Sequence, residues 1–248
     1  APVDTLVDVT RIPELTVLET RGDTLYVGAA VPLSRIVASP LAGRLAQGLI
    51  DSCTLIAGPQ VRNTATLGGN VAHALPAADG TISLMALGAE AEIASDQGCR
   101  RVPMVELFLG PGKTGLLPGK EILTGFYLPL AAPQGSKAAS AFRRVMRPQG
   151  VALPILNMAV WVARRDDTLE ALRIAVGPGG PVPFRALAAE ALMCGRNLDA
   201  AAGADCREAL LSEARFRTSA RRATADYRRR LAAGLLEETL TAAWERAA

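Results

Sequence analysis

Histidine is nearly missing from this chain. His73 stands alone among 248 residues, which rules out a multi-histidine metal site. Cysteine is scarce as well: Cys53, Cys99, Cys194 and Cys206 lie far apart. No pair has C-x-x-C spacing, so neither zinc nor iron–sulfur ligation is expected, and nothing resembles a disulfide framework. A reducing compartment follows, with the cytoplasm as the expected location. Aromatic residues make up only 4% of the chain, so aliphatic side chains and alanine must fill its core. Lysine occurs only at Lys113, Lys120 and Lys137, and the formal net charge of +3 is too small for a nucleic-acid footprint. No apolar run is long enough to span a bilayer, and no basic-then-apolar leader opens the sequence. With one histidine, no Ser-His-Asp or Cys-His set can be assembled from the spacing either.

Half of the residues are apolar and 21% are charged. That composition excludes disorder and can bury one sizeable core or two modest ones. Nearly all the basic residues are arginine. Arginine binds planar anions well, although an Arg- and Ala-rich composition more often reflects a GC-rich genome.

Along the chain, residues 6–15 read as a short strand with a turn at Pro13. Residues 25–31 form a strand signal and 32–40 a short helix with proline in its first turn. Leu41, Leu45, Leu49 and Cys53 recur every four residues and predict one helix over 41–56. A loop rich in Gly, Asn and Thr is expected over 58–70, then a helical turn and a strand over 82–95. Residues 110–119 must be a loop, and 121–129 are strand-like. Around 130–139 the composition turns to Ala, Pro, Gly and Ser, the expected domain boundary. Strands are predicted over 155–164 and 169–177, and helices over 183–198 and 218–247. In the last helix Tyr227, Leu231 and Leu235 continue into Leu236, Leu240 and Trp244 as one stripe. The pairs Arg221–Arg222 and Arg228–Arg230 read as its solvated face, with a contact to a partner subunit as the lesser reading. The order of elements describes an α+β chain without repeats.

The stretch TATLGGNVAHALPAAD, residues 64–79, carries the most chemistry per residue. Gly68 and Gly69 lack Cβ atoms, so backbone N–H groups there can come close to an anion. Thr66 offers a hydroxyl and Asn70 an amide to phosphate oxygens or a ribityl chain. Asp79 can accept hydrogen bonds from sugar or ribityl hydroxyls. Spacing alone still favours a tight turn between two elements. Three other strings imitate nucleotide motifs. GPGKTG (residues 110–115) is followed by Leu116, Leu117, Pro118 and Gly119, which leave no helix start to hold a pyrophosphate. The embedded GKT would need glycine where Leu107 stands. GPGGPV (residues 177–182) lacks a third glycine. All three read as turns. His73 lies either beside a bound ligand or at the surface, the latter being the more common circumstance.

Taken together, AGPQVRNTATLGGNVAHALPAAD (residues 57–79) strongly resembles the second flavin-binding segment of the FAD subunits of the xanthine dehydrogenase and carbon monoxide dehydrogenase family, the molybdenum hydroxylases. The likeness runs on through LMALGAEAEI (84–93) and FLGPGKTGLLPGKEILTGFYLP (108–129). It continues through FRRVMRPQGVALPILNMAVWV (142–162), GPGGPVPFRALAAEALMCG (177–195) and YRRRLAAGLLEETLTAAW (227–244). It thus covers nearly the whole chain in matching order.

The resemblance implies a vanillyl-alcohol-oxidase-like FAD-binding domain over 1–132 and a small sheet-and-helix domain over 138–248. It implies that Thr66, Leu67, Gly68, Gly69 and Asn70 contact the FAD pyrophosphate and that Asp79 binds the flavin's polyhydroxy region. Ile56 and Ala57 would sit near the cofactor, and Leu123 would pack against the flavin. Where the family usually has a lysine, this chain has Arg143–Arg144, so Arg144 is expected to carry that charge in a different geometry. The family's earlier glycine-rich segment would precede residue 6, and the chain opens at Ala1 rather than methionine. An N-terminally incomplete sequence is therefore the expectation.

The implied function is an electron-transfer subunit with no catalytic acid or base of its own. A molybdopterin-binding large subunit would oxidise the organic substrate, and a [2Fe–2S] small subunit would pass electrons to FAD. A quinone, NAD or oxygen would accept them. The molybdenum cofactor and [2Fe–2S] clusters would reside on those partners. The alternative is a structural subunit of the same fold that has lost FAD. An unrelated nucleotide-binding module is a third reading.

Overall fold

The computed structural model describes residues 5–147 and 153–248. Residues 1–4, and residues 148–152 inside the segment 142–162, lie outside the described residues. The first part is built on β1 (Leu18–Arg21) and β2 (Thr24–Gly28), joined through Gly22 at φ +56°. Helices α1 (Leu33–Val37), α2 (Pro40–Leu45), α3 (Gln47–Leu55), α4 (Pro59–Arg62), α5 (Leu67–Ala72) and α6 (Asp79–Ala86) follow. A hairpin of β3 (Glu90–Ser95) and β4 (Gly98–Pro103) comes next. The short pair β5 (Phe108–Gly110) and β6 (Lys113–Thr114) precedes β7 (Ile122–Pro129). Among the described residues these strands form an antiparallel five-stranded sheet in the order β1-β2-β7-β3-β4. One face of β2 sends Leu25 and Val27 into the core. On the other, Tyr26 packs on Tyr127 with ring centroids 4.8 Å apart. Arg21 caps the first ring at 3.6 Å and Arg101 the second at 3.4 Å.

The second part contains β8 (Lys137–Val145), β9 (Leu156–Arg165), β10 (Thr168–Gly177) and β11 (Phe184–Arg185). After these come α7 (Leu187–Met193), α8 (Ala200–Glu213) and α9 (Ala225–Arg246). Its sheet is antiparallel in the order β11-β10-β9-β8. In β9 the residues Leu156–Ala163 are all buried, because both faces of the strand are covered. Leu156, Met158, Val160 and Val162 join the core under the C-terminal helices. Ala159, Trp161 and Ala163 join the core of the first part. Helix α6 explains that second face. All eight of its residues are buried, because it is wedged among α3, α5, β9 and β10. Polar bonds fix this seam: the Gly48 N–H donates to Ser140 Oγ (3.0 Å), and Ser83 Oγ donates to the Gly48 carbonyl (3.0 Å). Phe126 and Phe142, each at most 1% exposed, supply ~1.5–3 kcal/mol apiece by burial.

Several local expectations change. Residues 6–15 form no strand; the segment runs largely exposed through a turn at Thr10 and Arg11, where the Ile12 N–H donates to the Val9 carbonyl, to a 3-10 turn at Pro13–Leu15. The predicted helix 41–56 breaks at Ala46 (φ −150°, ψ 53°) into α2 and α3, and residues 58–70 contain α4 and the start of α5. The predicted helix 183–198 shortens to α7 behind β11. Helix α8 was unforeseen, although Asp199 caps it and Ala202, Cys206 and Leu210 face inward at four-residue steps. In α9 the buried set is Arg228, Ala232, Leu235, Leu236, Thr239, Leu240 and Ala243, while Tyr227 is exposed. Arg228 is therefore not solvated: its guanidinium donates to the carbonyls of Ile155 and Arg217. GPGKTG is the β5–β6 turn, with Gly112 at φ +71°. Among the described residues no helix is long and apolar enough to cross a membrane.

Candidate functional site

The glycine stretch is held against the end of β2. Thr66 caps α5, its Oγ1 accepting from the Gly69 N–H at 3.0 Å. The Gly68 N–H donates to the Ala29 carbonyl (3.0 Å), and the Leu33 N–H to the Ala65 carbonyl (2.9 Å). Ala29 in turn donates its N–H to the Thr124 carbonyl (2.9 Å), and Ala30 to the Leu15 carbonyl (2.8 Å). Approaches this close require glycine. A Cβ on Gly68 would stand 2.6 Å from the Ala29 oxygen, and one on Gly28 2.3 Å from the Leu15 oxygen. Thr66→Ala is expected to lose about 1 kcal/mol with the cap, measured as a lower urea midpoint at unchanged slope.

Opposite this backbone runs the start of β7, which carries a bulge. Glu92 pairs with Gly125 and Ile93 with Leu123, leaving Thr124 as the extra residue. The Thr124 hydroxyl donates to the Glu92 carbonyl (3.2 Å) and carboxylate (2.9 Å), while its carbonyl also accepts from Tyr26 Oη (3.1 Å). Between the two walls lies a cleft of about 320 Å³. Thr66, Gly68, Gly69 and Ala72 line one wall, Leu116, Glu121, Ile122 and Leu123 another, and Val9, Thr10, Leu15, Ala29 and Ala30 complete it. Glu121 is a fixed negative charge: Arg100 grips it at 3.1 and 3.2 Å and the Leu117 N–H donates to it at 2.8 Å. These partners hold its carboxyl below the ordinary range.

Of the residues expected to meet a cofactor, Thr66, Gly68, Gly69 and Leu123 line this cleft. Leu67 is fully buried beneath it. Asn70 turns toward α6, where its Oδ1 accepts from the Thr81 N–H at 3.1 Å. Ile56 and Ala57 sit outside the lining, their carbonyls gripped by Arg62 at 3.0 and 2.7 Å; Ala57 has φ +50°. Asp79 and Arg144 meet each other. Arg144 Nη1 donates to Asp79 Oδ2 at 2.5 Å, with both side chains about 5–6% exposed. Asn157 Nδ2 donates to Asp79 Oδ1 (2.6 Å) and to the Ala77 carbonyl (3.1 Å). Burial pushes the Asp79 carboxyl above its ordinary value, against the pull of Arg144 and Asn157. His73 is exposed at the end of α5. Sequence reasoning missed Ala29, Ala30, Leu15 and Glu121. The pair Ala29–Ala30, straight after a strand and devoid of bulk, was the available signal.

Comparison with known proteins identifies the family of the chain. Residues 1–131 match the family model of the FAD binding domain in molybdopterin dehydrogenase, and residues 140–243 that of the CO dehydrogenase flavoprotein C-terminal domain. The carbon monoxide dehydrogenase medium chain of Hydrogenophaga pseudoflava is 30% identical over 246 residues, which are 98% of this chain and 83% of that one. The xanthine dehydrogenase FAD-binding subunit of Escherichia coli O157:H7 is 30% identical over 186 residues, 75% of this chain; the match spans 63% of that relative's length. Among solved structures, the H. pseudoflava carbon monoxide dehydrogenase that lacks the Mo-pyranopterin moiety superposes with a TM-score of 0.90. The two are 29% identical, over 97% of this chain and 82% of that one. Quinoline 2-oxidoreductase from Pseudomonas putida 86 gives 0.87 at 25% identity, covering 97% of this chain and 81% of that one. The chain therefore belongs to the FAD-binding subunit family of the molybdopterin dehydrogenases, an oxidoreductase family whose cofactor in this domain is FAD.

Proposed function

We propose that this chain holds FAD across the cleft between α5 and β7 and serves as the electron-transferring flavin component of a molybdenum hydroxylase-type complex. The observation that carries the reading is the bare backbone at Thr66–Gly69: Gly68 has no room for a Cβ, and Gly69 is exposed beside the cleft. The residues fit the group. A cleft of about 320 Å³ is at the small end of ligand pockets, roughly 300–1,000 Å³, and suits one portion of the cofactor. Its walls place small or bare backbone on one side and Leu116, Ile122 and Leu123 on another. Those features match a phosphate chain and an apolar ring respectively.

In this reading Thr66, Leu67, Gly68, Gly69 and Asn70 position the pyrophosphate, and the Glu121 carboxylate keeps negative phosphates away from the β7 wall. Leu123 packs on the flavin, Ile56 and Ala57 flank it, and Asp79, with Arg144 behind it, faces its polyhydroxy region. FAD, when bound, supplies the redox chemistry by taking up and releasing two electrons. The protein's part is to orient the ring, exclude water from it and set the surrounding charge; no side chain acts as a catalytic acid or base.

The domain boundary lies between residues 132 and 138. A molybdopterin-binding large subunit and a [2Fe–2S] small subunit are the proposed partners, with a quinone, NAD or oxygen as acceptor and the cytoplasm as location. The visible spectrum of the purified complex tests the reading. Flavin absorption, and FAD released on denaturation, are expected in a one-to-one ratio with this chain. A colourless protein that releases no flavin would instead establish a structural subunit of the same fold.

A further inference from the structure

A second cleft, of about 450 Å³, opens at the far end of α5 from the glycine stretch. Leu75, Pro76 and Ala77, which follow α5, form an apolar wall with Pro111, Leu153 and Pro178. The facing wall is arginine: Arg217, Arg221, Arg222 and Arg228 line it, beside the hydroxyl residues Thr218 and Ser219. Among the described residues no carboxylate lines this cleft, and none of their salt bridges involves these four arginines.

Arg217, Arg221 and Arg222 are carried by a hydrogen-bonded turn, and Arg228 by the first turns of α9. Ser219 and Ala223 form an isolated β-bridge, the Ser219 N–H donating to the Ala223 carbonyl at 2.9 Å and the Arg222 N–H to the Ser219 carbonyl at 3.1 Å. Thr218 Oγ1 accepts from the Ala225 N–H at 3.1 Å, and Thr224 caps α9. Arg228, only 3% exposed, fixes the carbonyls of Ile155 and Arg217. Arg147 holds the Arg221 carbonyl at 2.6 Å. Burial first, and the nearby Arg222 second, lower the proton affinity of the Arg228 guanidinium, as expected where like charges meet without a counter-ion. A cleft whose described lining gathers four arginines and no carboxylate presents a positive field to which multivalent oxyanions such as phosphates are complementary.

We propose that this cleft binds a nucleotide: a phosphate-bearing ligand whose anionic groups lie on Arg217, Arg221 and Arg222 and whose planar base lies on the Leu75–Ala77 wall. The assignment rests on these side chains alone and does not depend on FAD occupying the other cleft.

Titration calorimetry with ADP on the full chain tests it, using Arg221→Gln/Arg222→Gln in one variant and Thr66→Ala/Gly69→Ala in the other. Saturable binding that the arginine variant weakens by about tenfold or more, while the α5 variant leaves it within about twofold, is expected. Adenosine should bind far more weakly, and added salt should weaken ADP binding. Binding lost only in the α5 variant would place ADP on the glycine stretch and overturn the proposal. Absence of saturable ADP binding, or an affinity untouched by either variant, would overturn it equally. Neither result alters the flavin content that tests the other cleft.

Discussion

Gly68→Ala is expected to cost the chain stability and flavin together. The new methyl carbon would stand 2.6 Å from the Ala29 carbonyl oxygen and 2.7 Å from the Ala29 Cβ, and neither is the end of a flexible side chain. The Gly68 N–H also donates to that same carbonyl, so relieving the clash weakens the bond that pins α5 to the end of β2. Overpacking of this kind costs ~1–3 kcal/mol, and a chain of this size loses roughly 2–4 °C in Tm per kcal/mol. Differential scanning calorimetry reads the first effect, and the ratio of flavin to protein reads the second. Gly69→Ala separates them. Its Cβ would meet only Thr66 Oγ1, at 3.3 Å, and alanine is favourable in a helix by about 1 kcal/mol over glycine. Stability should hold or rise while flavin content falls, because the exposed methyl stands where backbone meets phosphate. Unchanged Tm and flavin content in Gly68→Ala would contradict the cradle.

The second large effect is at the seam between the two sheets. Arg144→Met leaves Asp79 buried with only Asn157 as a partner. Removing one member of a buried ion pair costs ~3–5 kcal/mol, a large share of the roughly 5–15 kcal/mol that keeps a protein folded. The loss should depend on pH with a definite sign. Without the guanidinium, burial raises the Asp79 carboxyl further above its unfolded value of 3.8. A raised carboxyl costs stability above its folded pKa, and that cost disappears as pH falls through the folded pKa toward the unfolded one. Urea unfolding should therefore show the gap between Arg144→Met and the parent protein to be widest at neutral pH and narrower in mild acid. The double variant Asp79→Leu/Arg144→Met, with neither charge, should recover most of the loss. A pH-independent deficit would mean that Asp79 is hydrated, contrary to its 5% side-chain exposure. Because Asn157 also holds the Ala77 carbonyl, loosening the pair should disturb the backbone that leads from α5 into α6.

Strands β9 and β10 were legible because burial on both faces leaves a short, almost wholly apolar run in ILNMAVWVA, broken only by Asn157 and rich in β-branched and aromatic residues. The turn at Gly112 was legible because glycine is the residue that accepts its positive φ without strain; β1 and its turn at Gly22 were not read from the sequence. Boundaries were less legible. The break at Ala46 has no local breaker, since Gly48, two residues on, lies inside α3 where the helix approaches Ser140 of β8. In α9, Tyr227 fits the helical stripe as well as Arg228 does. Arg228 is the buried one because two carbonyls, Ile155 and Arg217, converge on it from outside the helix.

By itself the sequence determined the α+β composition of the chain and the position of its glycine stretch. Those properties follow from residue chemistry and short-range periodicity, which a linear reading contains. Only the tertiary structure decided which of those groups face one another. Thr66, Gly68 and Gly69 meet Leu123 because a bulge at Thr124 offsets β7 by one residue. Asp79 and Arg144, 65 residues apart, form one ion pair because α6 is wedged against the second sheet. Such contacts depend on sheet register and helix packing, and these are set by the whole core rather than by any window of sequence.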